Sequence, residues 1–429
     1  MSAADQTRPG WTARLTADRS APDASAAPQL RGWALAVLVC FSLLNFLGFA
    51  ATFSALGVTL PFMVRDLGWS WTQAGLGFTL LGVASASSSF LPALLIRRFG
   101  VRAPLVLGGF VLSGGLLMLA RTASVPPFLI GTILCGIGFQ LIAMIPGTHV
   151  LSGMFSRRSL VFGIYMTSGS LGGVAGPWIV LSTMSAFAGD WRMVWLVLAG
   201  AVLVTGLVCA AIVGRASDTH RRHQPARSEA VEQWGWDVRA ALRTPQFWVI
   251  CGAYLSQLLV LSCVASMSVA HLTQTGLAAT LAAGMLSLEA AVQVAARAIG
   301  GVLGEFVNRK LLLVTGLACA TLGVWTLSVA ESAPALLAYA ILTGLGVGIT
   351  ALSSTLLLLE WFGKKHNLEL FSIVCTLVAL SSVNSLVGGA IRDATGSFTL
   401  AYQLFGCVPA LVLIASLFAR RPRMEDDHA

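Results

Sequence analysis

Twelve stretches of about twenty apolar residues run through the sequence, at roughly 33–58, 72–96, 103–120, 127–153, 160–184, 192–213, 246–270, 279–304, 311–330, 333–358, 368–390 and 400–419. Such a run matches the hydrocarbon thickness of a bilayer. In lipid each backbone N–H and C=O must be satisfied within the segment, so every run is predicted to be a membrane-spanning α-helix. The chain is 56% hydrophobic and 10% charged, with mean hydropathy +0.81, and no soluble globular fold needs that balance. The predicted fold class is all-α: a polytopic membrane protein with twelve transmembrane helices.

Charge then orients the spans. Of the 27 Lys and Arg residues, only Arg65, Arg121, Arg192 and Arg392 fall in one set of loops, Arg297 falls inside a span, and all the others fall in the opposite set and the termini. Cytoplasmic loops carry the excess of Lys and Arg, so both termini are expected in the cytoplasm and the protein in the cytoplasmic (inner) membrane. The net charge of +9 is therefore mostly a topology signal, and no nucleic-acid partner is expected. Residues 1–31 lack a signal-peptide core and read as a disordered cytoplasmic tail, and residues 420–429 read as a second cytoplasmic tail. The longest internal polar stretch, 214–244, separates six spans (32–213) from six (245–419) and reads as a flexible cytoplasmic linker with at most a short helix around Trp234–Leu242.

The two sets of six resemble each other. Ile133-Leu134-Cys135-Gly136-Ile137-Gly138 in span 4 matches Ile341-Leu342-Thr343-Gly344-Leu345-Gly346 in span 10, and each span leads into a basic loop. Two repeated six-helix halves are the architecture of a secondary transporter that alternates access by rocking one half against the other.

One residue says most about what such a machine would carry. Arg297 sits deep in span 8, where a guanidinium that cannot shed its proton costs roughly 3 kcal/mol. With Glu289 and Gln293 it forms an i, i+4, i+8 stripe on one side of the helix. An unneutralised cation there is suited to holding a carboxylate. Glu289 is the candidate proton carrier, because a carboxyl in a low-dielectric setting is readily protonated. Histidine is the side chain whose charge changes most readily around neutral pH, which makes His149 a second proton-coupling candidate, although a packed, hydrogen-bonded histidine is the simpler account of both His149 and His271.

Several stretches resemble the major facilitator superfamily. The loop Arg97-Arg98-Phe99-Gly100-Val101-Arg102 is similar to the family's basic signature between spans 2 and 3, with Arg97 where an acid is usual. Glu305 through Arg309 and Lys310 form the corresponding loop between spans 8 and 9, with Asn308 in place of the usual glycine. The resemblance implies that Arg97, Arg98, Arg102, Glu305 and Arg309 belong to gating loops. Within the superfamily the chain is most similar to the monocarboxylate transporter and oxalate:formate antiporter branch, on Arg243-Thr244-Pro245-Gln246-Phe247-Trp248, Asp66-Leu67-Gly68-Trp69-Ser70 and the stretch from Arg297 to Glu305.

That likeness implies that Arg297 binds a substrate carboxylate. It also places spans 1, 4, 5, 7, 8, 10 and 11 near the cavity, which selects Asn45, Tyr165 and Asn384 beside Gln293 as substrate-binding candidates. Span 11 contains no Lys or Arg, so a second clamp for a dicarboxylate is missing, and the expected substrate is a small monocarboxylate, such as an aromatic or hydroxy acid, moved with protons. The stretch from Gly169 to Pro177 resembles the glycine-proline signature of facilitator antiporters, which keeps open an alternative: proton-driven efflux of apolar or cationic compounds.

Other chemistry has no support in the sequence. There is no GxxxxGK[ST] loop for ATP, no hydrolytic triad pattern, and no Cys/His spacing for a metal; the eight cysteines lie singly in apolar segments. No cofactor or metal is expected, and no enzymatic activity. The expected partners are the carboxylate, protons and membrane lipid, with the chain acting as a monomer.

Overall fold

The computed structural model describes residues 27–155, 158–220, 234–363 and 365–422. Arg157, residues 221–233 of the linker, most of the N-terminal tail and residues 423–429 lie outside that set, as does the side chain of Glu305. Among the described residues the architecture is all-α, and the one β feature is an isolated bridge between Gly235 and Gly363.

The N-terminal half opens with α1 (Ala27–Phe49), a π turn (Ala50–Ser54) and α2 (Ala55–Leu67), which stack into one long span. Helices α3 (Trp71–Ser87) and α4 (Leu91–Phe99) form span 2, bent by 44° at their break. Span 3 is α5 (Arg102–Ala120); span 4 is α6 (Val125–Ile142) and α7 (Met144–Met154), broken at Ala143. Helices α8 (Arg158–Ala186) and α9 (Trp191–His220) complete the half. In the C-terminal half, a short α10 (Val238–Leu242) precedes α11 (Pro245–Gln274), α12 (Ala279–Phe306), α13 (Arg309–Ser328) and α14 (Ala333–Phe362). Span 11 is α15 (Asn367–Val378), a 3₁₀ turn (Ala379–Val383) and α16 (Asn384–Thr395), and α17 (Thr399–Phe418) closes the chain. Nine helices among the described residues are long and apolar enough to cross a membrane, and the bent pair α3–α4 makes a tenth. The other two expected crossings fall on the 29-residue α8 and the broken span 11, which are not among these ten.

Local chemistry explains several boundaries. Ser70 and Gln73 form a reciprocal capping box at the start of α3, and Thr244 with Pro245 starts α11. Asn308, unusual for the family at its position, caps α13 by accepting the Lys310 N–H at 2.9 Å. Four spans differ from the uninterrupted helices expected. In span 4, Pro146 has no N–H to offer the Ile142 carbonyl and crowds it, so the helix breaks just before it. Span 2 breaks at Ser88 and Ser89, whose backbone N–H groups bond locally. Spans 1 and 11 carry a π turn and a 3₁₀ turn instead. The expected short helix in the linker is α10, with Asp237 as its cap, and it is anchored by Trp236, whose ring meets Phe362 at 5.7 Å. Helix α9 continues to His220, past the predicted start of the linker.

The repeated Gly-x-Gly motif does the same packing work in both halves. A methyl on Gly136 would overlap the Leu81 carbonyl of span 2, and one on Gly138 would overlap the Leu112 backbone of span 3. In the second half Gly344 faces the Glu289 carbonyl of span 8 and Gly346 the Ala320 backbone of span 9. Small residues let helices approach to backbone contact, so spans 2, 3 and 4 correspond geometrically to spans 8, 9 and 10. Glu289 thus sits at a level set by a glycine contact.

Candidate functional site

Helix α12 is rich in alanine around Arg297, which favours the helix and keeps its faces slim. Gly344 and Gly348 of α14 receive the carbonyls of Glu289 and Gln293, fixing one side of the stripe. On the other side lies α8, whose glycines form the small-residue face expected from sequence. Gly172 meets the Phe46 carbonyl of α1, Gly176 meets Ser54 of the π turn, and a methyl on Gly173 would contact both Ala290 of α12 and Phe49, each at 3.6 Å. Helix α8 therefore sits between α1 and α12 and joins the two halves.

Within that seam Arg297 Nη1 donates to Ser170 Oγ at 3.3 Å, while its Nε is buried and unpartnered. No carboxylate within the described residues forms a salt bridge with it. Glu289 is 2% exposed, with Oε1 unpartnered, and Gln293 is 5% exposed, with Nε2 unpartnered. Glu289 and Tyr254 of α11 both lie within electrostatic reach of the guanidinium. Buried polar groups in folded proteins are nearly always satisfied, so three orphaned polar atoms on one stripe mark a place prepared for a polar ligand. Across α8 an apolar wall stands close by. Phe49 and Phe53 meet at 5.4 Å, Phe53 and Phe139 at 5.4 Å, and Phe53 and Phe78 at 6.1 Å. The π turn starts directly after Phe49 and contains Phe53, and single π turns recur at functional sites.

The other predicted residues are placed differently. Asn45 Nδ2 donates to the Tyr165 carbonyl at 3.0 Å, so it ties α1 to α8. Tyr165 is fully buried against Gly147 and Phe41, its hydroxyl unpartnered. Asn384 donates to the Leu259 carbonyl at 2.8 Å and to Ser262 Oγ at 2.7 Å, and accepts from Ser385 at 3.0 Å; it stitches span 11 to span 7. Both asparagines spend their amides on neighbouring helices. His149 is exposed on α7, beyond the break at Ala143. Arg97, Arg98 and Arg102 are exposed, and Arg98 lies over the Phe99 ring. Arg309 pairs with Glu360 at 3.1 Å, within its own half. Ser170, Tyr254 and the phenylalanine wall were not singled out from sequence; the Gly-Ser-x-Gly-Gly pattern of α8 was the available signal for Ser170.

At the face opposite the basic loops the halves meet tightly. Methyls on Gly57, Gly75 and Gly389 would overlap the carbonyls of Ala265, Ser385 and Trp71. Thr79 Oγ1 donates to the Ser382 carbonyl at 2.8 Å, and the Asp393 carboxylate accepts the N–H groups of Trp71 at 3.0 Å and Thr72 at 2.8 Å. Partial burial pushes the Asp393 carboxyl up, but the hydrogen bonds from Thr72, Trp71 and Ser70 outweigh it and hold the group below the usual carboxylate range.

A profile of the Major Facilitator Superfamily matches residues 38–292, more than half of the chain. An uncharacterized protein of Campylobacter jejuni is 26% identical over 147 residues, which cover 34% of this chain and 44% of that relative. The fold is similar to the crystal structure of a bacterial homolog of the human lysosomal transporter Spinster in an inward-facing, unoccupied conformation, with TM-score 0.70 and 14% identity over 90% of this chain and 96% of that one. It is also similar to a D-xylose-proton symporter, with TM-score 0.68 and 15% identity over 90% and 98%. With an all-α architecture of long apolar helices, the paired glycine motifs and the profile match in agreement, the chain belongs to the Major Facilitator Superfamily and is a multi-pass membrane transporter of that family.

Proposed function

We propose that the protein carries a small organic monocarboxylate together with protons, and that Arg297 holds the carboxylate. The observation that carries this reading is the guanidinium itself, partly buried at the α8–α12 seam with a neutral serine as its hydrogen-bonding partner and its buried Nε unspent. A charge-assisted bond to an acid would satisfy it, and an arginine in a membrane span is by default a substrate- or ion-handling group. The phenylalanine wall around Phe49, Phe53 and Phe139 suits an acid with an apolar body.

The described state is closed at the opposite face. Helices α4, α7 and α15, at the basic face, pack chiefly within their own halves, so the site would load and unload towards the basic loops. In the proposed orientation that side is the cytoplasm. The acid neutralises Arg297, a proton neutralises Glu289, and the loaded seam can then close without an unpaired ion. His149, exposed on a separate helix segment, is proposed only as a secondary proton site.

The test is uptake of labelled lactate, pyruvate, benzoate and phenylpyruvate into proteoliposomes, with and without an inward proton gradient. Gradient-driven uptake that Arg297→Gln lowers by about 10- to 100-fold, the worth of one charged hydrogen-bonding group, is expected. Unchanged uptake in Arg297→Gln would sink the reading. If no acid moves under any gradient, efflux of apolar compounds becomes the better account.

A further inference from the structure

Four buried groups of the C-terminal half stand at increasing depth from one face: three have no part in the carboxylate site, and the fourth, Glu289, is its proposed proton carrier. His271 of α11 is 4% exposed, Tyr402 of α17 and Tyr339 of α14 are fully buried, and Glu289 of α12 is 2% exposed. Their helices all have an end at the face opposite the basic loops. At 1.5 Å per residue, His271 and Tyr402 lie about 4.5 Å in from those ends, Tyr339 about 9 Å and Glu289 about 15 Å. The His271 and Tyr402 ring centroids are 5.2 Å apart. Tyr402 is within electrostatic reach of Tyr339, and Tyr339 of Glu289.

Packing alone does not account for this row. The hydroxyls of Tyr402 and Tyr339 and Oε1 of Glu289 have no hydrogen-bond partner, and each buried orphan costs about 1–3 kcal/mol. Phenylalanine would fill the same space at either tyrosine without that cost. His271 Nε2 lies 3.1 Å from the Leu327 carbonyl. A carbonyl only accepts, so Nε2 carries the hydrogen and the neutral ring keeps Nδ1 as an acceptor. The other ionisable groups near the row are few. Arg297 stands two turns from Glu289 on its own helix, with Tyr254 of α11 beyond it. Cys263 of α11 lies near Tyr402, and Arg392 of α16 lies over the Phe398 ring, which itself meets His271 at 6.4 Å. Helix α8 meets α12 at this seam through the neutral Ser170 and Gly173.

We propose that His271, Tyr402, Tyr339 and Glu289 form the proton entry line of the transporter, running from the face opposite the basic loops to the coupling carboxylate. The proposal rests on the proton-coupled reading above. A proton from solvent binds His271 Nδ1, and the imidazolium then releases that Nδ1 proton towards Tyr402 while Nε2 keeps its hydrogen on the Leu327 carbonyl. Each hydroxyl accepts one proton on oxygen and passes its own onward, with a bridging water spanning any gap wider than a hydrogen bond. Glu289 ends protonated, and His271 and both tyrosines return to their starting forms. The net transfer is one proton, with no other bond made or broken.

The test uses the full-length protein in proteoliposomes with the four labelled acids named above, comparing gradient-driven uptake with gradient-free exchange of labelled for unlabelled acid. Tyr339→Phe and Tyr402→Phe keep ring volume, and His271→Gln keeps a donor for the Leu327 carbonyl. Each is expected to lower gradient-driven uptake by about tenfold or more, as loss of a positioned proton-transfer group does, while exchange stays near wild type. Driven uptake retained in all three variants overturns the entry line and leaves the carboxylate site standing. Equal loss of driven uptake and exchange in protein of unchanged thermal stability assigns the row a structural role, which also overturns it. Wild-type uptake of an acid that ignores the gradient overturns the coupling reading and the entry line together.

Discussion

The two faces of the seam between the halves are built from different materials. At the face opposite the basic loops, glycines on one half meet backbone on the other: Gly57 against Ala265, Gly75 against Ser385, Gly389 against Trp71. Hydrogen bonds from Thr79 and to Asp393 then cross between them. Towards the basic face, broken-span segments α4, α7 and α15 stand chiefly against their own halves. Arg297 to Ser170 is a hydrogen bond that crosses deep in the seam. One end is therefore held by shape and many small contacts, while the hydrogen bond deep in the seam uses the guanidinium proposed above to hold substrate. A rocking transporter needs such an asymmetry, because each state must be only marginally better than its alternative.

Removing shape complementarity should have the largest effect. Gly75→Leu places a side chain where the Ser385 carbonyl now lies, and overpacking of this kind costs at least about 1–3 kcal/mol. The closed arrangement should become a minor state. Spin labels on the outer ends of α3 and α16 should show a longer distance, and uptake should fall by about tenfold or more; an unchanged distance would mean that the seam yields without cost. Asp393→Asn should act more gently. An exposed carboxylate at a helix N-terminus contributes about 1 kcal/mol or less after solvent screening, so a shift of about fivefold towards the open form is expected in the same measurement, without loss of fold.

The pH dependence of this latch follows from its sign. Hydrogen bonding lowers the Asp393 carboxyl in the closed state, so its contribution is present above the ordinary aspartate value and is lost as pH falls through the lower, closed-state value. The label distance should stay constant from about pH 5 to pH 8 and change only in stronger acid. A transition near neutrality that persists in Asp393→Asn would point to another group, with Glu289 and His271 the first to test.

Much of this arrangement was legible beforehand because hydropathy, positive charge and the Gly-x-Gly repeat act over whole spans. The all-α class, the paired halves and the stripe of Glu289, Gln293 and Arg297 follow from period and burial alone. The breaks were harder. Pro146 was an available signal for the interruption of span 4 that the reading of spans did not use, whereas the π turn at Ala50–Ser54 has no residue that demands it; it arises where Gly172 and Gly176 of α8 press on α1. Asn45 and Asn384 show the limit most clearly. Their amides have identical chemistry whether they face a cavity or a neighbour, and tertiary packing decided for the neighbour. Ser170 was hidden for the opposite reason, since a serine among glycines reads as a packing residue.

The smallest expected effect concerns a residue that the family resemblance placed in a gating loop. Arg309 bonds Glu360 at 3.1 Å, both side chains more than a third exposed, and both belong to the C-terminal half. A bridge that moves as a rigid part of one half contributes equally to both states, and a solvent-exposed pair is worth about 0–1 kcal/mol in any case. Arg309→Gln should therefore leave the label distances and the uptake rate within about twofold of wild type. A large loss would instead reveal a partner across the seam in the state where the opposite face is open, and the basic loops would then have to be counted among the gates.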